Sequence, residues 1–164
     1  MPQNLRLDPV DLEILRRLQN DARTTNRELA AGVGIAPSTC LDRVNRMREA
    51  GAILGHTLRV DPAMLGRPIQ AFLAIQVQPH RRPLVEPLVA HILAQPETRA
   101  VYHLSGPDDF LALVAAEGVA ALQRLVLDEL TARSEVTRVQ TMLVFQGWDG
   151  GPLLPPAPAG QPVP

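Results

Sequence analysis

Residues 26–44 read Asn26-Arg27-Glu28-Leu29-Ala30-Ala31-Gly32-Val33-Gly34-Ile35-Ala36-Pro37-Ser38-Thr39-Cys40-Leu41-Asp42-Arg43-Val44, and they decide the fold of the first half of the chain. Asn26 is a helix-capping residue type, and Leu29, Ala30 and Val33 follow it at helical spacing. Gly32 and Gly34 bracket Val33 and free the backbone for a sharp turn. Pro37 suits the first position of a new helix, where a missing N–H costs nothing. Cys40, Val44 and Met47, with Leu41 beside them, form an inward stripe, and Gly51 is a natural stop. Ser38, Thr39, Asp42, Arg43, Asn45, Arg46 and Arg48 point in other directions. The pattern is a short helix, a tight turn and a longer helix.

Working outward, Asp8 is a good N-cap with Pro9 at the first helical position and acids at Asp11 and Glu13 in the first turn. Val10, Ile14, Leu15 and Leu18 recur at helical spacing, and Asn20-Asp21 closes that helix. Residues 52–60 are β-rich with Gly55 in the middle, which predicts a small wing. Three helices and a wing over residues 1–60 make a winged helix-turn-helix. Pro62, Gly66 and Pro68 interrupt any regular element, so residues 61–66 read as a hinge.

The second half changes period. Residues 69–78 alternate as a strand, with Ala71, Leu73, Ile75 and Val77 on one face. Leu84, Val85, Leu88, Val89 and Ile92 predict a helix that begins at 84–86, so that Pro87 falls in its first turn. Residues 98–104 and 110–116 are strands joined through Ser105-Gly106-Pro107-Asp108. Val119, Leu122, Val126 and Leu130 mark a second helix. Residues 136–145 form a last strand, with Val139, Thr141, Leu143 and Phe145 on one face, Met142 and Val144 on the other, and Trp148 anchoring its end. The order β-α-β-β-α-β is the ferredoxin-like arrangement over residues 67–148, so the fold class is α+β. Residues 149–164 form a proline-rich tail that reads as disordered.

Composition sets the outer bounds. The chain has 164 residues and a net charge of −1. Apolar residues make up 46% and charged residues 20%, with mean hydropathy +0.01, an ordinary globular balance. No apolar run is long enough for a transmembrane helix, and the start carries no signal-peptide pattern, so the cytoplasm is the expected compartment. Cys40 is the single cysteine, expected as a core thiol. His56, His80, His91 and His103 have no metal-ligand spacing, and no cofactor is expected. All sixteen cations are arginine; residues 1–60 carry a balance of +2 and residues 61–164 a balance of −3. That leaves room for a local basic face on a nearly neutral chain.

A winged helix-turn-helix reads DNA by laying its third helix in the major groove. Ser38 and Thr39 are short polar groups at that helix's leading end. Arg43 and Arg46 suit guanine edges or phosphates, and Asn45 lies on the same polar surface. Asp42 suits a cytosine amine. Arg23, Thr25 and the N-terminus of the second helix suit a phosphate.

These residues carry a resemblance. The stretch Asp8-Pro9-Val10-Asp11-Leu12-Glu13-Ile14-Leu15, the helix-turn-helix core from Asn26 to Val44, Gly51-Ala52-Ile53-Leu54-Gly55, Asp61-Pro62 and Leu65-Gly66 resemble the Lrp/AsnC (feast/famine) family of transcriptional regulators. The likeness runs to about Trp148. It implies a DNA-binding domain joined to a dimerisation domain that takes a small-molecule effector, an amino acid in this family, with dimers assembling further toward octamers. It also implies an effector site at the turn between the second and third strands. Gly106, Asp109 and Phe110 match a Gly-x-x-Asp-aromatic pattern there, with Leu104, Asp108 and Thr141 as further candidates. A glycine turn bares N–H groups for an effector carboxylate, and an aspartate pairs with an ammonium. Phe110 stands where the family commonly has tyrosine.

Two rivals are weighed. Sirohaem decarboxylases resemble the same two-domain fold, and His103 and Arg99 would then serve a tetrapyrrole. A sensor using only the second domain leaves residues 1–60 without a purpose. The sequence favours a regulator of double-stranded DNA, homodimeric, with no membrane partner and no catalytic residues.

Overall fold

The computed structural model describes residues 5–78 and 82–156, and for 82–84 the backbone alone. The chain divides into two compact units, Met1–Leu58 with Asp149–Pro164, and Arg59–Trp148.

The first unit holds α1 (Pro9–Asn20), α2 (Asn26–Val33) and α3 (Pro37–Glu49). Asp8 caps α1 in a capping box with Asp11. α2 is capped by Thr25, one residue earlier than Asn26, because Thr25 and Glu28 satisfy each other's backbone N–H groups. Asn26 instead donates from Nδ2 to the Pro37 carbonyl at 2.7 Å, tying α2 to the start of α3. The turn between these helices needs Gly34, whose φ of 71° lies in the left-handed region. Ile35 N then closes on the Ala30 carbonyl at 3.0 Å. Ile14, Leu29, Ala30, Cys40, Val44 and Met47 make the core, with Ile53 packed against it.

The wing differs from the expected strand. Residues 53–60 form no strand. Leu54 and Leu58 are almost fully exposed. A strand forms only against a second strand, and the described residues of the first unit hold helices alone as regular elements.

The second unit has β1 (Ile69–Val77), α4 (Arg82–Ala94), β2 (Thr98–His103), β3 (Phe110–Ala116), α5 (Val119–Arg124, continuing as a π-helix over Leu125–Leu130) and β4 (Val136–Leu143). The sheet order is β2-β3-β1-β4, wholly antiparallel. The hinge segment contains a 3-10 turn at Ala63–Leu65. Ala71, Leu73, Ile75, Phe110, Ala112 and Val114 pack against Leu88, Ile92, Leu122, Leu125 and Leu130.

Both helices depart in one respect from the predicted pattern. α4 begins at Arg82, so Pro87 lies inside it beyond the first turn. The helix tolerates this because a proline there removes one hydrogen bond while Leu88 and Ile92 stay buried. In α5 the π segment, with Thr131 N bonding the Val126 carbonyl at 2.9 Å, adds a residue to the last turn. Leu122 and Leu130 are buried and Val126 packs against the same core, as the spacing predicts; Leu125 joins them, while Val119 is 70% exposed. Trp148 does not anchor β4, which ends at Leu143; Trp148 is 81% exposed.

The other face of the sheet is open. Pairing places Phe72 beside Leu113 and Met142, Ala74 beside Leu111, and Tyr102 beside Leu111. Tyr102 and Met142 are exposed. The tail does not leave the first unit at once: Gln19 holds Leu153 by two hydrogen bonds. Residues 157–164, expected to be disordered, lie outside the described residues, as does His80.

Candidate nucleic-acid interface and effector loop

α3 presents the surface expected to meet DNA. Cys40, Val44 and Met47 bury one face, and burial pushes the Cys40 thiol up, as suits a core thiol. Ser38, Thr39, Leu41, Asp42 and Arg48 are exposed, and Asn45 is half-buried. At 100° per residue, Ser38, Asp42 and Asn45 lie roughly opposite the buried stripe. The three form one polar row with the bare leading end of α3, whose N-cap Ala36 offers no side-chain bond.

Arg43 and Arg46 are placed otherwise than expected. Arg43 Nη1 donates to Asp8 Oδ2 at 2.6 Å and to Asp11 Oδ1 at 2.9 Å. Arg46 Nη2 donates to Asp11 Oδ2 at 2.6 Å. The same 100° rule sets Arg43 about 60° from the centre of the buried stripe, on the flank that meets α1. Its guanidinium holds the Asp8 carboxyl below the usual carboxylate range, with the Asp11 backbone N–H helping. Asp11 is buried, beyond the first-turn role its position suggests; two acids three residues apart and two arginines three residues apart are the sequence signal for this cluster.

The N-terminus of α2 is also occupied. Glu28 Oε2 accepts from Thr25 N at 2.8 Å and from Thr25 Oγ1 at 2.7 Å, where a phosphate was expected. These bonds hold Glu28 below its ordinary value. Arg23 is exposed, its backbone N donating to Asp21 Oδ1 at 2.8 Å. His56 sits 3.0 Å from Arg48 Nη2 through its Nε2.

In the second unit, residues 104–110 form a braced loop. Leu104 N donates to the Asp109 carbonyl at 2.8 Å, and Asp109 N to the Ile75 carbonyl at 3.0 Å. Asp109 Oδ2 accepts from Val77 N at 2.7 Å, beside the bulge at Gln76/Val77. Gln76 Nε2 reaches the Pro107 carbonyl at 3.0 Å and Asp108 Oδ1 at 3.2 Å. Leu104, Ser105 and Gly106 are exposed. Phe110 is fully buried, and the His103 ring stacks on it at 4.8 Å. Thr141 is exposed and pairs with Leu73, which pairs with Ala112, so it sits two strands away from β3. Arg99 is exposed on β2.

A three-helix helix-turn-helix unit and a βαββαβ unit with a braced, partly exposed loop define a two-domain, DNA-binding regulator. Comparison with known proteins agrees and narrows it. A family model described as winged helix-turn-helix DNA-binding matches residues 7–53, and one described as the Lrp/AsnC ligand binding domain matches residues 70–150. The HTH-type transcriptional regulator AldR of Mycolicibacterium smegmatis is 42% identical over 140 residues, covering 85% of this chain and 82% of that protein. The leucine-responsive regulatory protein of Rhizobium meliloti is 37% identical over 146 residues, covering 89% and 94%. The crystal structure of a Neisseria meningitidis transcriptional regulator in complex with L-Met superposes with a TM-score of 0.83 at 28% identity, covering 92% of this chain and 97% of that one. The chain belongs to the Lrp/AsnC family of transcriptional regulators. Among the described residues, no helix is long and apolar enough to cross a membrane.

Proposed function

We propose that this regulator reads double-stranded DNA with the row Ser38, Thr39, Asp42 and Asn45, while Arg23 approaches the phosphate backbone. The observation that carries this reading is the polar, outward face of α3 opposite Cys40, Val44 and Met47. A helix of 13 residues fits a groove about 12 Å wide. The protein works as a homodimer in the cytoplasm, the open sheet face covered by a second copy; Phe72, Leu111, Leu113, Tyr102 and Met142 support this. The extended 53–60 segment pairs with a partner in the same assembly. Two-fold symmetry then sets two α3 helices about 34 Å apart on a pseudopalindrome.

The effector is an amino acid, a reading supported by the L-Met complex of the Neisseria regulator. It is held at residues 104–110, with Gly106 N–H facing its carboxylate and Asp108 or Asp109 its ammonium. Phe110 supplies the floor of that loop rather than a contact. In one chain Thr141 is two strands away, so in this reading another copy supplies it, at the junction between dimers. Effector binding shifts the higher assembly, and so the DNA affinity. The protein is a regulator and not an enzyme: the relatives compared are transcriptional regulators. Footprinting of the gene's own upstream region, with and without a panel of amino acids, tests the whole reading. Protected half-sites one duplex turn apart, changed by one amino acid, are expected; no protection in any condition overturns it. A Soret band on adding sirohaem, without protection of DNA, would instead favour the decarboxylase reading.

A further inference from the structure

Asp11 is fully buried in the first turn of α1. Three donors converge on its carboxylate: Asp8 N at 3.1 Å, Arg43 Nη1 at 2.9 Å and Arg46 Nη2 at 2.6 Å. Asp8 closes the group by accepting from Arg43 Nη1 at 2.6 Å and from Asp11 N at 2.8 Å. Two arginines and two aspartates thus cancel in charge within one connected cluster. A buried carboxylate must be paired, so this cluster resists opening more than a surface ion pair does. The two arginines stand three residues apart on α3, one turn, and both grip one carboxylate on α1.

A two-point grip from one turn of a helix restricts rolling about its axis, which a single contact does not. A roll of about 20° moves an outward atom about 5–6 Å from the axis by about 2 Å. That displacement is enough to break a base-edge hydrogen bond. The apolar stripe alone sets such a roll loosely, because Cys40, Val44 and Met47 meet their neighbours through non-directional contacts.

We propose that Asp11 is a positioning residue for DNA reading: through Arg43 and Arg46 it sets the rotation of α3, and these arginines orient Ser38, Asp42 and Asn45 instead of neutralising phosphates. The inference rests on α3 being the reading helix. Sequence discrimination then depends on Asp11, while the count of phosphate contacts does not.

The test starts by selecting a duplex from a random-sequence pool with the full-length protein. Binding of that duplex and of a scrambled one is then measured against salt for wild type, Asp11→Asn, Arg43→Gln and Arg46→Gln. Wild-type protein that enriches no duplex removes the reading and the inference together. With wild-type selection in hand, each variant is expected to lose about tenfold or more on the selected duplex and less than about threefold on the scrambled one. Its slope of log affinity against log salt stays at the wild-type value. A slope reduced by about 0.9 for each arginine removed from a reading helix makes that arginine a phosphate contact and overturns the proposal. Equal loss on both duplexes, the mark of plain unfolding, also overturns it, as does no loss on either. If Asp11→Asn does not fold, Arg43→Gln carries the same measurements, its side chain being 24% exposed and turned onto Asp8 and Asp11.

Discussion

Gln19 and Leu153 exchange two hydrogen bonds, Leu153 N donating to Gln19 Oε1 at 2.8 Å and Gln19 Nε2 donating to the Leu153 carbonyl at 3.0 Å. A side-chain amide here acts as a backbone amide does in a strand pair, and it catches the tail 134 residues along the chain from α1. Prolines at 152, 155 and 156 lower the entropy lost in holding this segment extended. The contact is exposed, so each bond contributes at most about 1 kcal/mol. Gln19→Ala should free the tail, with faster amide exchange at Leu153 and a loss of no more than about 1 kcal/mol in thermal unfolding of the first unit. Unchanged exchange at Leu153 would mean that other contacts hold the tail.

Acid should weaken the first unit through α1. Arg43 holds Asp8 below its ordinary value, and Arg16, then Arg17, bring Glu13 down to about 2 against the opposing effect of burial. A carboxylate lowered in the folded state stabilises that state above its unfolded value, near 4, and the stabilisation is lost as pH falls through the folded value. Urea midpoints should therefore fall steadily from about pH 4 toward pH 2. Asp8→Asn keeps an N-cap acceptor but removes one of these titrations. Its midpoint should depend less steeply on pH over that window; a slope identical to wild type would show that the Asp8–Arg43 pair adds nothing to stability.

The sequence made the order of elements legible because each has its own period and punctuation, such as Asp8-Pro9 opening α1 and Gly34 closing α2. The departures have local causes. The choice between Asn26 and Thr25 as cap was decided by Glu28, which completes a capping box only with Thr25. A π segment leaves no mark in a list of leucines and valines, so the inward set of α5 gained Leu125. At the DNA face, residue type suggested Arg43 and Arg46; angular position sets Arg43 on the flank that meets α1, whereas Arg46 reaches back to Asp11 from an exposed position that its angle on the helix does not reveal.

Asp109 separates scaffold from recognition. Its carboxylate accepts from Val77 N at 2.7 Å, a bond an amide oxygen can also accept. Asp109→Asn should leave the melting temperature within about 2 °C of wild type, since the brace survives. The same change removes the negative charge offered to an effector ammonium. Titration calorimetry with L-Met and other amino acids should show binding to wild type and at least about tenfold weaker binding to the variant, a loss of about 1.4 kcal/mol. Asp109→Ala should lose the brace as well and cost about 1–3 kcal/mol in stability. Wild-type affinity in Asp109→Asn would move the ammonium partner to another residue.

The open sheet face gives the sharpest test of the dimer. Leu113 lies on β3, between Ala100 on β2 and Phe72 on β1, with Met142 one strand beyond. It faces away from α4 and α5, so Leu113→Asp leaves the helix-covered core of Leu73, Ile75 and Phe110 untouched. If a second copy covers this face, the substitution buries an unpaired carboxylate at the interface, a cost of several kcal/mol to association. Sedimentation equilibrium should then return a mass near the 17.8 kDa of one chain, where wild type returns at least twice that. Circular dichroism should keep its helical signal, because α4 and α5 pack on the opposite face of the sheet. A variant that sediments as wild type does would leave the apolar face without the role assigned to it and place the dimer contact elsewhere, with the exposed Leu54 and Leu58 segment next to be tested.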